Sequence, residues 1–375
     1  TLFPYTTLFR SGMLTLLKNL ICYSPEFLGK KDILLCNEKI YKIQPTIEMA
    51  DVYENIYDLD GLLAFPSLID QHLHIIGGGG EDGFASRINE IGAEEITAAG
   101  VSTVVGILGA DSCTKSLEAL YAKAKALEIQ GLTAYIYAGS YSFPPITITK
   151  DVIHDLVYVD KVIGVKTALS DHRSTHPNIY DLLKLASDTH LGGMLSGKAG
   201  VVHIHIGDGK RGLKPLLDLI RESDLDLQMF VPTHVNRSAK LFSQAKEYCK
   251  SGGSIDLTSG ETAGISVPAA IHELMIERIS INNVTVSSDA NGSIPSGGTG
   301  CINSLYKDII DCINQQSIPI ETAFSLVTKN VAEGLKLYPS KGTLSQGSDA
   351  DILITDQAYN IKMLFCRGKL LHQRG

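Results

Sequence analysis

The sequence lacks several features that would place it in a common class of protein. No apolar run reaches the roughly 18 residues that a membrane-spanning helix needs. The seven cysteines are scattered and never in CxxC spacing, which argues against a disulfide framework or a cysteine-based zinc site and favours a reducing cytoplasm. A net charge of −8 argues against nucleic acid or an anionic membrane as the main partner. What remains is a chain of 375 residues, 44% hydrophobic, that can bury a large core.

The two ends of the chain differ in pattern from its middle. Residues 1–12, TLFPYTTLFRSG, repeat the triplet TLF and are followed by Met13, so we interpret them as a non-native extension. Residues 13–63 and 338–375 consist of short apolar runs broken by turn-forming residues, as in DILLCNEKIYKI and DADILITD. We expect these two segments to form one small β-sandwich domain.

Residues 64–337 alternate strand-like runs with helical periodicity. Eight candidate strands, among them SLIDQHLHI, KVIGVKTALS and VVHIHIG, are separated by stretches with apolar residues at i, i+3, i+4 and i+7. This alternation predicts an α/β fold, and eight units favour a closed (β/α)8 TIM-like barrel. An open doubly wound sheet is the alternative. It would need a GxGxxG turn, whereas the glycine run at 77–80 is followed by the acidic Glu81 and Asp82.

Chemically capable side chains fall late in several candidate strands, where such barrels carry their chemistry. The set comprises His72, His74, Lys166, His205, His234 and Asp289. The spacing of the first two puts both imidazoles on one face of a strand, and neutral imidazoles can bind a divalent transition metal. The second HxH pattern leaves open whether His203 or His205 is functional, although His205 lies nearer the barrel mouth. We therefore predict a metal site at this rim.

Lys166 is unusual because it lies in an apolar run, where a charged lysine is costly to bury. Desolvation and nearby metal charge lower the pKa of such an amine. The neutral amine can take up CO2 and become a carbamate, whose two oxygens can bridge two metals. Together with Asp289 and a bridging hydroxide, the carbamate would offset most of the charge of two divalent ions. A structural lysine paired with a carboxylate is the alternative.

The segments FPSLIDQHLHIIGGGGE, VIGVKTALSDHRS, HIGD, PTHVNR and SSDANGS resemble the binuclear-metal amidohydrolase superfamily, and most closely the isoaspartyl (β-aspartyl) dipeptidases. The resemblance covers nearly the whole chain from Met13. It implies a metallo-hydrolase, commonly a homo-oligomer, that cleaves the isopeptide bond of small β-aspartyl dipeptides. Ala110 and the short loop after Ser293 depart from the family pattern.

The resemblance also implies a role for each candidate ligand. His72, His74 and Asp289 would bind a buried metal, and His205 and His234 would bind a second one. Lys166, as N6-carboxylysine, and a hydroxide would bridge both metals. Zinc is the default, although such ligands also accept Mn, Co or Fe. Asp289 would serve as general base and then general acid for the hydroxide.

Further residues would contact the substrate. Tyr141 would polarise the scissile carbonyl, and Glu81 would hold the substrate ammonium. The substrate carboxylates would be bound by Arg173, Arg237 and Ser293. Gly79 belongs to the glycine run, which allows close approach of backbone to a ligand. A β-aspartyl dipeptide carries one ammonium and two carboxylates, which matches one acid and two arginines. Solvated surface charges are the alternative for these charged residues.

Two other functions stay open. A cyclic-amide hydrolase of the dihydroorotase or hydantoinase kind would use the same metals, but its substrate would leave Glu81 unpaired. A non-catalytic amidohydrolase-like scaffold is disfavoured because all six candidate ligands are present.

Overall fold

The first sheet joins both ends of the chain. The structure, a computed structural model, describes residues 14–48, 53–294 and 297–374, so the interpretation of residues 1–12 lies outside the described residues. The sheet contains β1 (Leu14–Tyr23), β2 (Phe27–Cys36), β3 (Lys39–Gln44), β4 (Asn55–Asp58), β5 (Leu63–Pro66), β14 (Ile352–Thr355), β15 (Ile361–Cys366) and β16 (Lys369–Gln373). Its order is β16-β15-β14-β5-β1-β2-β3, with β4 beside β1. The division of the chain into domains at residues 63 and 338 stays a prediction.

Eight further strands lie between these ends. They are β6 (Leu68–Leu73), β7 (Val101–Gly106), β8 (Thr133–Gly139), β9 (Val162–Leu169), β10 (Val201–Ile206), β11 (Phe230–Thr233), β12 (Ile255–Thr258) and β13 (Val284–Ser287). β6 to β11 form one parallel sheet in chain order, and β12 and β13 form a parallel pair. Every residue of these strands is buried except Tyr135, as expected for a parallel sheet covered by helices.

Side chains and loop backbone close the two seams between these sheets. At one seam, the backbone N–H of Asp289 donates to the carbonyl of His72 at 3.1 Å, and that of His74 donates to the carbonyl of Ala290 at 3.1 Å. At the other seam, the Thr233 hydroxyl donates to Asp256 at 2.7 Å. The predicted (β/α)8 TIM-like barrel is therefore confirmed.

Helices follow the strands along the chain. They are α1 (Ala93–Ala98), α2 (Leu117–Ile129), α3 (Val152–Tyr158), α4 (Ile179–Ser196), α5 (Lys214–Arg221), α6 (Ala239–Lys250), α7 (Val267–Ile276), α8 (Asn303–Gln316), α9 (Ile320–Ser325) and α10 (Lys329–Gly334). Sequence signals set their ends: in α4 a capping box joins Asn178 and Asp181, and Gly197 ends the helix at φ 68°. Among the described residues, no helix combines the length and apolarity needed to cross a membrane.

An aromatic contact joins the terminal sheet to the barrel helices. The rings of Phe65 in β5 and Phe324 in α9 stack with centroids 3.8 Å apart, and both side chains are fully buried. Because β6 begins two residues after β5, this contact fixes the start of the first barrel strand against the outer helices. That strand ends at the candidate site.

Candidate metal centre and active site

The structure brings the six predicted metal ligands together at one rim of the barrel, and all six are buried. His72 and His74 each place Nε2 at 3.2 Å from Asp289 Oδ1. His234 Nδ1 lies 3.8 Å from the other carboxylate oxygen, Oδ2. Lys166 Nζ lies 3.2 Å from His72 Nε2, and the His205 ring centroid is 4.6 Å from that of His234. Residues in β6, β9 and β10, and residues that follow β6, β11 and β13, therefore share one cluster.

Part of this cluster has the spacing of a metal site. One ligand atom each from His72, His234 and Asp289 lies within 4.8 Å of the other two, and all three residues are buried. Two imidazoles and a carboxylate form a donor set suited to zinc and similar ions. His74 adds a buried Nδ1 that has no hydrogen-bond partner in the described structure. These residues fit a divalent metal.

The backbone is strained at two of the ligands. His234 has φ 66° and Asp289 has φ 51°, a left-handed conformation that is uncommon outside glycine. Such strain persists only where the surrounding structure holds it, and it clusters at functional sites. Here it directs both side chains inward immediately after β11 and β13.

Charge in the cluster is set by burial and by close neighbours. Burial alone would raise the pKa of the Asp289 carboxyl, but the imidazoles of His234 and His72 hold it well below its usual range. Arg237 adds a hydrogen bond from Nη2 to Asp289 Oδ2 at 2.9 Å. Asp289 is therefore an anion whose two oxygens face different groups, with Oδ1 toward the imidazoles of β6 and Oδ2 toward the rim.

Lys166 is fully buried in β9. Burial lowers the pKa of its amine to about 7, although Asp289 and Asp256 oppose the shift. Among the described residues, no carboxylate comes within ion-pair distance of Nζ. The alternative of a structural lysine paired with a carboxylate is therefore not supported by the described residues.

Both ring nitrogens of His205 already contact protein groups. Nε2 lies 2.7 Å from Asp171 Oδ2, and Nδ1 lies 2.7 Å from the Tyr141 hydroxyl. Since the carboxylate can only accept, Nε2 carries the hydrogen, and the Tyr141 hydroxyl donates to Nδ1. Burial raises the pKa of Tyr141, which keeps this hydroxyl protonated. Binding of a metal at His205 requires one of these two contacts to be given up.

The predicted substrate contacts line the same rim, where they pair with one another. Glu81 Oε1 accepts hydrogen bonds from Arg173 Nη1 at 3.1 Å and from the Ser293 hydroxyl at 2.9 Å. Arg237 is shared between Asp289 and Glu261, whose Oε2 lies 3.7 Å from its Nε. A cavity of about 310 Å³ opens beside these groups, lined among others by Arg173, Arg237, Glu261 and Ser293. The rim therefore holds both charge signs beside open space.

The glycine run is shaped by close backbone packing. Gly79 has φ 76°, and a Cβ added there would lie 2.4 Å from the carbonyl oxygen of Ser86. Gly77 has φ 72° and meets the carbonyl of Ile88 in the same way. Only glycine fits at these two positions, so the loop that carries Glu81 turns tightly over the ligand cluster.

Sequence reasoning missed two neighbours of the ligands, Asp171 and Asp256, and left the role of His203 open. Asp171 forms two hydrogen bonds to the side chain of Arg173 and one to His205. Asp256 is fully buried in β12 and accepts from Gln71, Thr233, Thr285 and Ser287. His203 contacts Nδ1 of His72 at 2.8 Å. A lone aspartate in the apolar run SIDLTS could have revealed Asp256, whereas the other two contacts depend on tertiary structure.

Comparison with known proteins also points to a metal-dependent hydrolytic enzyme. A model of the Amidohydrolase family matches residues 63–371. The β-aspartyl dipeptidase of the thermophilic keratin-degrading Fervidobacterium islandicum AW-1 is 40% identical, with a TM-score of 0.91 over 96% of this chain and 97% of that chain. Its complex with a β-Asp-Leu dipeptide matches equally well.

More distant relatives share the fold. Dihydropyrimidinase from Brevibacillus agri NCHU1002 is 14% identical, with a TM-score of 0.69 over 96% of this chain and 95% of that chain. Imidazolonepropionase from Salmonella arizonae is 23% identical over 376 residues, covering 89% of this chain and 88% of that protein. The family match, the 40% identity over almost the full length and the cluster at the barrel rim together show that this chain belongs to the amidohydrolase family of metal-dependent hydrolytic enzymes.

Proposed function

We propose that this protein hydrolyses the isopeptide bond of β-aspartyl dipeptides. The observation that carries the proposal is a pair of arginines, Arg173 and Arg237, that line one cavity beside the ligand cluster, together with Glu81, which pairs with Arg173. A β-aspartyl dipeptide has one ammonium, which Glu81 would bind, and two carboxylates, which the two arginines would bind. A relative 40% identical to this chain has been solved with β-Asp-Leu, which supports the same substrate class.

The ligand cluster would hold two divalent ions, most simply Zn2+. His72, His74 and Asp289 would hold one ion, and His205 and His234 the other. Lys166, as N6-carboxylysine, would lie between them. When bound, such ions polarise a carbonyl and lower the pKa of water. The depressed pKa of Lys166 and the absence of a paired carboxylate among the described residues support the carbamate.

Asp289 would carry the proton during the reaction. Its Oδ2 faces the rim, where Arg237 donates to it at 2.9 Å. This oxygen would accept a proton from the attacking water and later deliver it to the leaving amine, acting as general base and then general acid. The hydrogen bond from Arg237 is made to the ionised carboxylate, whose pKa the imidazoles of His234 and His72 already hold low.

Tyr141 would stabilise the oxygen of the scissile carbonyl. Its hydroxyl is protonated and points at His205 Nδ1. If His205 turns that nitrogen to a metal, the hydroxyl loses its acceptor and becomes free to donate to a carbonyl oxygen. A positioned donor of this kind stabilises the developing oxyanion. A single rotation of His205 would thus offer Nδ1 to the metal and free the Tyr141 hydroxyl to donate to the substrate.

Binding of the substrate would replace the ion pairs that the rim side chains form with one another. Glu81 would exchange Arg173 for the substrate ammonium, while Arg173, Arg237 and Ser293 would bind carboxylates. Gly79 would let the loop backbone approach the ligand. Because each charge has a partner before binding, the free protein does not hold these charges unpaired in a partly desolvated site. Exposed pairs such as Glu81 with Arg173 contribute little to stability and open readily.

A substrate panel tests the proposal. Purified protein of measured metal content would be offered β-Asp-Leu, α-Asp-Leu, hydantoin and dihydroorotate. We expect cleavage of β-Asp-Leu alone. Hydrolysis of hydantoin or dihydroorotate would instead support the cyclic-amide alternative, and no turnover by metal-loaded protein would support a non-catalytic scaffold.

A matched variant sharpens the result. Glu81→Gln keeps the shape of the side chain and removes its charge. It should raise KM for β-Asp-Leu at least tenfold if Glu81 binds the ammonium, because a charge-assisted hydrogen bond is lost. An unchanged KM would contradict that role.

The scattered cysteines support a cytoplasmic location, and the family resemblance supports a homo-oligomer. Light scattering of the purified protein would test the oligomeric state.

A further inference from the structure

His203 lies directly beneath the candidate metal centre. It precedes His205 by two residues in β10, so both side chains point into the barrel and His203 sits one layer deeper. It is fully buried, and its Nε2 lies 2.8 Å from His72 Nδ1. Its ring stacks on that of Tyr137 with centroids 5.1 Å apart and planes at 23°. In this orientation Nε2 of the His203 ring is directed at His72.

The contact between the two imidazoles admits only two arrangements of hydrogens. Both rings are buried in the barrel interior, where a neutral imidazole is favoured over a charged one. A neutral imidazole has one donor nitrogen and one acceptor nitrogen. Either His72 Nδ1–H donates to His203 Nε2, or His203 Nε2–H donates to His72 Nδ1.

These two arrangements have opposite consequences at the rim. In the first, His72 Nε2 carries a free lone pair that faces Asp289 and Lys166. In the second, His72 Nε2 carries a hydrogen directed at Asp289 Oδ1, 3.2 Å away, and cannot bind a metal. The choice made at Nδ1 therefore decides whether His72 can be a ligand.

We propose that His203 is a positioning residue that accepts the Nδ1 hydrogen of His72 and so holds His72 in its metal-binding tautomer. The hydrogen of His203 then resides on Nδ1, which has no acceptor among the described residues. Lys166 Nζ is the other group near His72 Nδ1, at the longer distance of 3.4 Å. His203 is thus the nearest acceptor. This inference rests on the proposed metal centre.

Two variants of equal length separate hydrogen bonding from packing. His203→Gln keeps an acceptor oxygen near the position of Nε2, and His203→Met fills a similar volume without an acceptor of comparable strength. The metal-free proteins would be titrated with Zn2+ against a chromophoric chelator. We expect one of two zinc equivalents to bind roughly 10–100-fold more weakly in the Met variant, the usual effect of losing the partner of a metal-binding histidine, while the Gln variant stays near wild type.

Tyr137→Phe serves as the control for packing. It removes a hydroxyl that has no hydrogen-bond partner in the described part of the chain but keeps the ring that stacks on His203, so zinc affinity should not change. Equal zinc affinity in the Gln and Met variants would overturn the inference and leave the metal centre standing. If the wild type bound no zinc at all, the proposed metal centre would fail, and the inference with it.

A measurement on the wild type keeps the inference testable if the Met variant does not fold. Neutron diffraction from zinc-loaded crystals locates deuterium on each imidazole nitrogen. We expect deuterium on Nδ1 of both His72 and His203. Deuterium on Nε2 of His203 would overturn the inference without any substitution.

Discussion

Lys166 gives the sharpest test of the proposed chemistry, because its modification requires a neutral amine. The side chain is fully buried, and burial lowers its pKa to about 7. At pH 7 about half of these amines are neutral, compared with roughly one in 2,500 for a lysine of ordinary pKa near 10.4. The burial of this one side chain therefore raises the concentration of the CO2-reactive form by about a thousandfold.

The pH dependence follows with a definite sign. Protonation removes the nucleophile, so the neutral fraction falls about tenfold for each pH unit below about 7 and levels off above about 8. Metal-free protein, prepared in CO2-free buffer, would be given Zn2+ either without bicarbonate or with bicarbonate adjusted at each pH to keep the dissolved CO2 constant. We expect reactivation that depends on bicarbonate and whose rate follows this titration.

A direct observation accompanies the kinetics. Protein loaded with ¹³C-labelled bicarbonate should show one carbamate carbon signal, and Lys166→Met should show none. The reasoning would be refuted by full reactivation without CO2, or by a loaded enzyme that is active and has no carbamate signal. A reactivation rate independent of pH between 5 and 8 would refute the pKa argument alone.

Other predictions concern catalysis and stability. Asp289→Asn should lower kcat by roughly 10²–10⁴ with little change in KM, as measured by steady-state kinetics on protein of verified metal content; near-normal turnover would rule out its proton-transfer role. Asp349→Asn should lower the free energy of unfolding by about 1.5–3 kcal/mol at pH 7, because Asp349 pairs with the buried Lys341 at 2.9 Å. Since Lys341 holds the pKa of Asp349 below its usual value despite burial, that stability is present above about pH 4 and is lost as the pH falls further. Urea unfolding at several pH values should therefore show a weaker acid dependence in this variant than in the wild type. Phe324→Ala should cost about 3–5 kcal/mol in the same assay because it empties the stack against Phe65, and a loss below about 1 kcal/mol would contradict that packing.

The barrel could be predicted because its strands are buried on both faces. Runs such as VSTVVGIL and KVIGVKTALS are mostly apolar, without the polar alternation of a half-exposed strand, and they contain β7 and β9. The closure of the barrel could not be predicted in detail. It depends on contacts such as Thr233 with Asp256 and His74 with Ala290, which join residues far apart in the chain.

The candidate ligands could be located for a related reason. In a parallel barrel, the late end of every strand reaches the same rim, so position in the strand predicts proximity. The partners of these ligands lack such a rule. Asp171 reads as a loop acid, and only the structure shows that it joins His205 to Arg173. Likewise, the HxH pattern places His203 one layer below His205, but only the structure shows that it contacts His72 there.

The placement of β5 has a consequence for how the chain folds during its synthesis. This strand lies between β1 and β14, so one edge of β5 leaves the ribosome without its hydrogen-bonding partner, which is available only after β14 has been synthesised. Contacts of such long sequence separation form slowly, and an open apolar strand edge invites association with other chains. Loss of the final two dozen residues would therefore threaten solubility before it affected any catalytic group.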